Sequence, residues 1–276
     1  MPGAVSRERA FCDAARDYLL SFSAFGVNSE VLDHYLEPDH RLRVGSIDRV
    51  YYQLLWSSQN AQMRTAVVTG SMDHGMDSLA PVLFGFDPSA VLEHYGDDAD
   101  AVLDDIVAKV GPRGEIRRTR RSVWPQFCRS VLSGARFLTQ FRDAEAFYRW
   151  ADGFDADVLT RPDLPAVVSE QVSGVGFALA CDFVKELGYS NYGKPDVHIK
   201  RILEGLGLIP ESASDREAFA ALTSFSDAAG LSAYHVDKLM WLVGSGKFYC
   251  HKHIGSVPTE RDEFVATQAA AFTASA

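Results

Sequence analysis

An all-α fold is what this 276-residue sequence predicts. Three observations carry it: apolar residues recur at spacings of three and four, Gly and Pro punctuate the pattern at short intervals, and no stretch shows the alternation of a half-buried strand. Residues 8–25 place Phe11, Ala14, Ala15, Tyr18, Leu19 and Phe22 on one helical face. Ser46 reads as the N-cap of Ile47–Trp56, a segment too apolar for a surface helix and therefore central. Further helices are expected over 76–85, 88–95, 99–110, 121–142 and 143–152, then 162–172, 177–187, 196–206, 214–229 and 232–244. The pattern is one of many short helices, with no internal repeat and no long linker. The Ala- and Thr-rich tail after Gly255 is expected to fray.

Composition narrows the class. A hydrophobic fraction of 47% suits a globular chain with a substantial core. No apolar run approaches the ~20 residues of a membrane span, and the opening MPGAVSRERAF lacks the apolar stretch of a signal peptide. Cys12, Cys128, Cys181 and Cys250 fit no zinc or cluster spacing and read as reduced thiols of a cytoplasmic protein. Cys250-His251-Lys252-His253 lacks a partner cluster, so neither a metal nor another cofactor is expected.

A net charge of −10 speaks against a polyanionic partner, but the charge is uneven. Between Arg113 and Arg142 lie eight arginines, no lysine and a single acid, Glu115. A solvated helix face is the ordinary reading of such a run. The other is a local phosphate-facing stripe, densest at Arg117, Arg118, Arg120 and Arg121.

The most informative segment is Pro165–Leu208, PAVVSEQVSGVGFALACDFVKELGYSNYGKPDVHIKRILEGLGL. One helix is expected to end near Val172, the turn Ser173-Gly174-Val175-Gly176 to follow, and a second helix to start at Phe177. Two glycines two apart permit a tight turn whose N–H groups point outward at a helix start, a ready site for a DNA phosphate. Small Ala178 and Ala180 let the two helices pack closely. Pro195 suits the first turn of the next helix, with Asp196 at its N-terminal end. Alone, Asp196 reads as a helix cap.

GVG, a helix and then PDVHIKRIL together resemble the glycine hairpin and V-D-x-H-x-x-R signature of the HhH-GPD DNA glycosylases. That superfamily includes endonuclease III and the adenine, 8-oxoguanine and alkylpurine glycosylases. The resemblance puts Asp196 on the catalytic aspartate, His198 on the following His and Arg201 on the signature Arg. Upstream, Tyr52-Gln53-Leu54-Leu55-Trp56-Ser57-Ser58-Gln59-Asn60 resembles the L-L-S-x-Q helix end of endonuclease III and the S-S-N-N-N segment of 8-oxoguanine glycosylases. The resemblance implies that Gln59, with Asn60 beside it, plugs the duplex where a base has left, and that Arg64 contacts the orphaned partner base. It spans about residues 45–250, with sharp motifs in about fifty of them.

Two departures stand out. The lysine that forms a Schiff base in many members is replaced by Ala178, and the C-terminal four-cysteine cluster loop is absent. A monofunctional enzyme without a cofactor is implied, although Lys185 and Lys194 lie nearby in sequence. The implied fold is two-lobed and helical, with residues 1–45 packing on the C-terminal lobe, 46–165 forming a central lobe with the plug, 166–250 carrying the hairpin and Asp196, and 251–276 forming a tail. The implied partner is double-stranded DNA bearing a modified base, bound by a monomer away from membranes. Asp196 would stabilise the oxocarbenium-like sugar and orient water; Gly174 and Gly176 would hold phosphate; the base would be flipped out. Candidates for the pocket wall are Phe177, Tyr189, Tyr192 and the segment Tyr234–Phe248, with Asp237, Lys238 and Trp241. His198 reads equally as a nucleotide contact or a structural histidine. Alkylated, oxidised and hypermodified phage-type bases all stay open as substrates, the last implying antiviral defence. So do a non-catalytic sensor of distorted DNA, with Asp196 only a cap, and a lyase using Lys194 or Lys185.

Overall fold

A computed structural model describes residues 5–37, 43–60 and 65–274. The described chain is predominantly helical. In order, its helices are α1 (Arg7–Leu20), α2 (Ser29–Leu36), α3 (Ile47–Ser58), the single turn α4 (Thr65–Val68), α5 (Pro88–Tyr95), α6 (Ala99–Asp105) and α7 (Val123–Leu138). There follow α8 (Ala144–Asp155), α9 (Asp163–Gln171), α10 (Phe177–Glu186), α11 (Val197–Gly205), α12 (Asp215–Ala229), α13 (Ala233–Ser245) and α14 (Arg261–Ala274). One two-stranded antiparallel ladder, β1 (Lys247–Phe248) with β2 (Gly255–Ser256), is the exception to the expected absence of strands.

Short polar caps fix where the helices start. The Ser46 hydroxyl accepts from Arg49 N–H at 3.3 Å, as its position before an apolar run predicts. Ser6 and Asn28 do the same for α1 and α2, and Ser214 with Glu217 completes a reciprocal capping box on α12. Three expectations fail. Residues 76–85 form two short 3₁₀ turns instead of a helix, because Phe84, Gly85 and Phe86 are all left-handed (φ 51°, 69° and 71°). The 99–110 helix ends early in a wide turn, Ile106–Val110, closed by left-handed Gly111. The tail does not fray: Phe264, Val265 and Phe272 are buried in α14, where Phe11 meets Phe264 and Phe225 stacks on Phe272. Side-chain burial against sequence-distant partners outweighed the local composition.

The chain divides into two compact units, with the boundary after Leu187. One comprises the described residues of the N-terminal segment up to Glu37 together with those from Gly188 onward. Its core gathers Leu19, Leu32, Leu36, Ile199, Leu203, Leu222, Met240 and Phe248 from α1, α2, α11, α12, α13 and the ladder. Gly205 lets α11 approach α14, for a Cβ there would lie 2.5 Å from Val265 Cγ1. The other unit runs from Arg43 to Leu187 and is built on α3 and α7. Tyr51 is fully buried and donates to the Val131 carbonyl at 2.7 Å, while Gly134 admits Leu54. The boundary divides the segment 166–250 that the sequence kept whole: the hairpin belongs to the second unit and Asp196 to the first.

Candidate functional site

The turn between α9 and α10 forms as its glycines predict. Gly174 is left-handed (φ 79°) and Gly176 is the extended N-cap of α10. Both are exposed, and neither N–H has a hydrogen-bond partner among the described residues. No side chain caps α10, so its positive end stays open to an anion. Two hydroxyls of α7, which the sequence reading missed, clamp the turn: Ser130 donates to the Ser173 carbonyl at 2.6 Å and Ser133 accepts from Ser173 N–H at 2.9 Å. Nothing local marks them; they are found only once α7 lies beside the turn.

Asp196 is the N-cap of α11, with Pro195 just ahead of the cap instead of inside the first turn. Its Oδ1 accepts from His198 N–H (2.9 Å) and Ile199 N–H (3.2 Å). Its Oδ2 has no hydrogen bond or ion pair among the described residues, and the side chain is half-buried. One oxygen anchors the carboxylate and the other is uncommitted. His198 packs against Gly244 and edge-on to Trp241 at 6.4 Å. Its Nδ1 is buried and makes no hydrogen bond. Burial pushes the imidazole pKa below its ordinary value; the Asp196 carboxylate and the nearby Gly244 carbonyl oppose that shift, while Arg261 and Lys247 add to it.

The arginine stripe is less available than its one-sign sequence implies. Arg113 pairs with Asp73 (2.6 Å), Arg117 with Glu115 (3.2 Å), Arg118 with Asp104 (2.6 Å) and Arg142 with Asp143 (2.7 Å), and Arg136 pairs with Asp97. Arg129 instead donates to the Arg120 carbonyl at 2.6 Å. Arg120 and Arg121 remain, exposed and without an acidic partner among the described residues. Arg117 and Arg121 line an open groove of about 510 Å³ together with Glu115, Thr119 and Ser122.

Gln59 does not project. It is 3% exposed, and its Oε1 accepts from Thr69 N–H at 3.3 Å. It borders a small pocket with Val68, Gln126, Ser130 and Gly174, so the buried Gln59 and the exposed hairpin line one pocket of the second unit. The reason Gln59 is buried is its place as C-cap of α3, with the Thr69 N–H within reach of its amide oxygen. Asn60 is half-buried, with its N–H on the Ser57 carbonyl. Arg64 lies outside the described residues.

Several pocket candidates are interior residues. Tyr192 is fully buried, Asp237 is 2% exposed and Tyr189 is also buried, while Phe177 and Trp241 are half-buried. Lys238 is buried beneath two rings, 5.3 Å from the Tyr234 centroid and 3.2 Å from the Tyr249 hydroxyl. Lys185 is buried between Asp182 (3.2 Å) and Glu186 (3.8 Å). Lys194 is half-buried, with its N–H on Asp237. Cys250 is exposed and the other three thiols are buried. No described helix is long and apolar enough to cross a membrane. Compared with models of known families, with curated proteins and with solved structures, the chain matches none.

Proposed function

We propose that this protein is a monofunctional DNA glycosylase of the HhH-GPD type, which flips a modified base out of double-stranded DNA and hydrolyses its N-glycosidic bond. The observation that carries the reading is the divided carboxylate of Asp196, twenty residues beyond the second hairpin glycine. Glycosidic cleavage leaves positive charge on the sugar, and a fixed anion beside it lowers the barrier. The cap fixes Asp196; the free Oδ2 supplies the anion and an acceptor for the attacking water. The exposed N–H groups of Gly174 and Gly176 suit a backbone phosphate, and Arg120 with Arg121 supplies the free cations an acidic chain needs to hold DNA. The closed environment of Lys185 and the Ala at position 178 both speak for hydrolysis without a Schiff base.

Capping alone also accounts for Asp196, and that observation favours a DNA-distortion sensor as the second reading. Mass spectrometry of bases freed from alkylated, oxidised and hypermodified duplexes separates the two. The enzyme releases a base and its Asp196→Asn variant does not; a protein that binds these duplexes and frees no base is the sensor.

A further inference from the structure

The loop leading to Asp196 is held at two points by the first turns of α13. Tyr234 N–H donates to the Ser190 carbonyl at 3.0 Å, and three residues later Asp237 Oδ1 accepts from Lys194 N–H at 3.1 Å. Between these points the loop lies close against the helix: a Cβ on Gly193 would sit 3.0 Å from Asp237 Cβ and 3.1 Å from the Ala233 carbonyl, and 2.5 Å from Leu222 Cδ2 of α12. Asp196 N–H then closes on the Lys194 carbonyl at 2.7 Å, so the residue tied to Asp237 is also the one that turns the backbone into the cap. Beyond Asp196 the same helix is met again, where His198 rests on Gly244 with no room for a side chain there.

From this geometry we infer that Asp237 is the positioning residue of Asp196, setting the register of residues 190–196 from the interior of their own unit. The inference rests on the reading of Asp196 as the catalytic carboxylate. A buried carboxylate is costly unless it accepts hydrogen bonds, and Asp237 spends one on the backbone amide two residues ahead of the group whose placement decides the reaction. Small displacements of a reacting group are expensive in rate even where the fold is intact.

The test compares Asp237→Ala, Asp237→Asn and Gly193→Ala, reading hydrogen exchange across 190–196 and base release with DNA affinity alongside. Asp237→Ala removes the acceptor and is expected to speed exchange of the Lys194 amide roughly tenfold and to slow base release about tenfold or more at unchanged DNA affinity. Asp237→Asn keeps an acceptor oxygen and should restore both. Gly193→Ala presses the loop away from α13 while keeping the buried carboxylate, and should reproduce both losses if Asp237→Ala fails to fold. Unchanged exchange at Lys194 in the folded variants overturns the inference, as does faster exchange with undiminished release. Asp196→Asn is run in parallel. If it releases base like the parent, the catalytic reading fails and takes the positioning role with it, whereas the exchange data still report whether Asp237 holds the loop.

Discussion

The helices α10 and α11 follow one another in the chain, yet their first turns are built in opposite ways. The first turn of α10 begins at Gly176, with no side chain closing it. That of α11 begins at Asp196, whose own carboxylate fills it. Each start carries N–H groups that lack an intrahelical acceptor and the same partial positive charge. At α10 no side chain caps the start, and the exposed Gly174 and Gly176 leave room for an anion from another molecule. At α11 the N–H groups are used internally, and what is gained is an immobilised carboxylate with one oxygen to spare. On the proposed reading, the same backbone electrostatics would serve recruitment in one case and placement in the other, with a single residue, Gly or Asp, deciding which.

The sharpest way to break this contrast is Asp196→Asn. Asparagine caps a helix nearly as well as aspartate, so the α11 start and the thermal midpoint should stay as they are. Base release should fall by ~10²-fold or more, the usual contribution of a positioned acid–base group, with DNA binding retained. Wild-type release by this variant would reduce Asp196 to the cap it also is.

The next largest effect is expected at the other start. Gly174 is left-handed, and a Cβ there would lie 3.0 Å from the Ser130 hydroxyl that clamps the turn. Gly174→Ala should cost about 1–2 kcal/mol of stability from the left-handed backbone alone, read by urea unfolding. It should also weaken binding to modified and plain duplexes alike, since a phosphate contact reads no sequence. A loss confined to modified DNA would mean the hairpin reads the lesion.

What was legible in the sequence follows the same division between local and distant causes. The hairpin and the cap could be read directly, because a positive φ needs Gly174 and an N-terminal turn selects Asp196 within a few residues. The availability of the arginines could not, since Asp73, Asp97 and Asp104, which neutralise three of them, lie well upstream of the stripe. The burial of Gln59 depends on the backbone of Thr69, and the order of α14 on Phe11 and Phe225. The division between hairpin and Asp196 was hidden because residues 166–250 are continuous in helical pattern while their packing partners change at Gly188.

Those ion pairs set a smaller effect. Arg120→Gln with Arg121→Gln removes the stripe's two exposed arginines that have no acidic partner among the described residues, and each true phosphate contact contributes about −0.9 to the slope of log K against log salt. That pair should flatten the slope by up to about two units, measured by fluorescence anisotropy on a plain duplex. Arg117→Gln with Arg118→Gln should flatten it less, since Glu115 and Asp104 already hold those guanidiniums. The reverse order would show that the ion pairs open on binding.

The smallest effect concerns the histidine next to the divided carboxylate, and it tests whether Asp196 acts electrostatically on that ring. Burial lowers the His198 pKa and the Asp196 charge raises it, with burial the larger of the two. The ring should therefore titrate below the ordinary value of 6.5 and be neutral at pH 7. A folded-state pKa below the unfolded one means that the fold favours the neutral imidazole. Its contribution to stability is therefore full above the unfolded value and is lost as the pH falls through the folded one. Asp196→Asn removes the opposing charge and keeps the cap, so the His198 pKa should drop further, which NMR titration of its ring protons reads directly. An unmoved pKa would mean that Asp196 does not act electrostatically on His198, and the electrostatic half of the contrast between the two helix starts would fall.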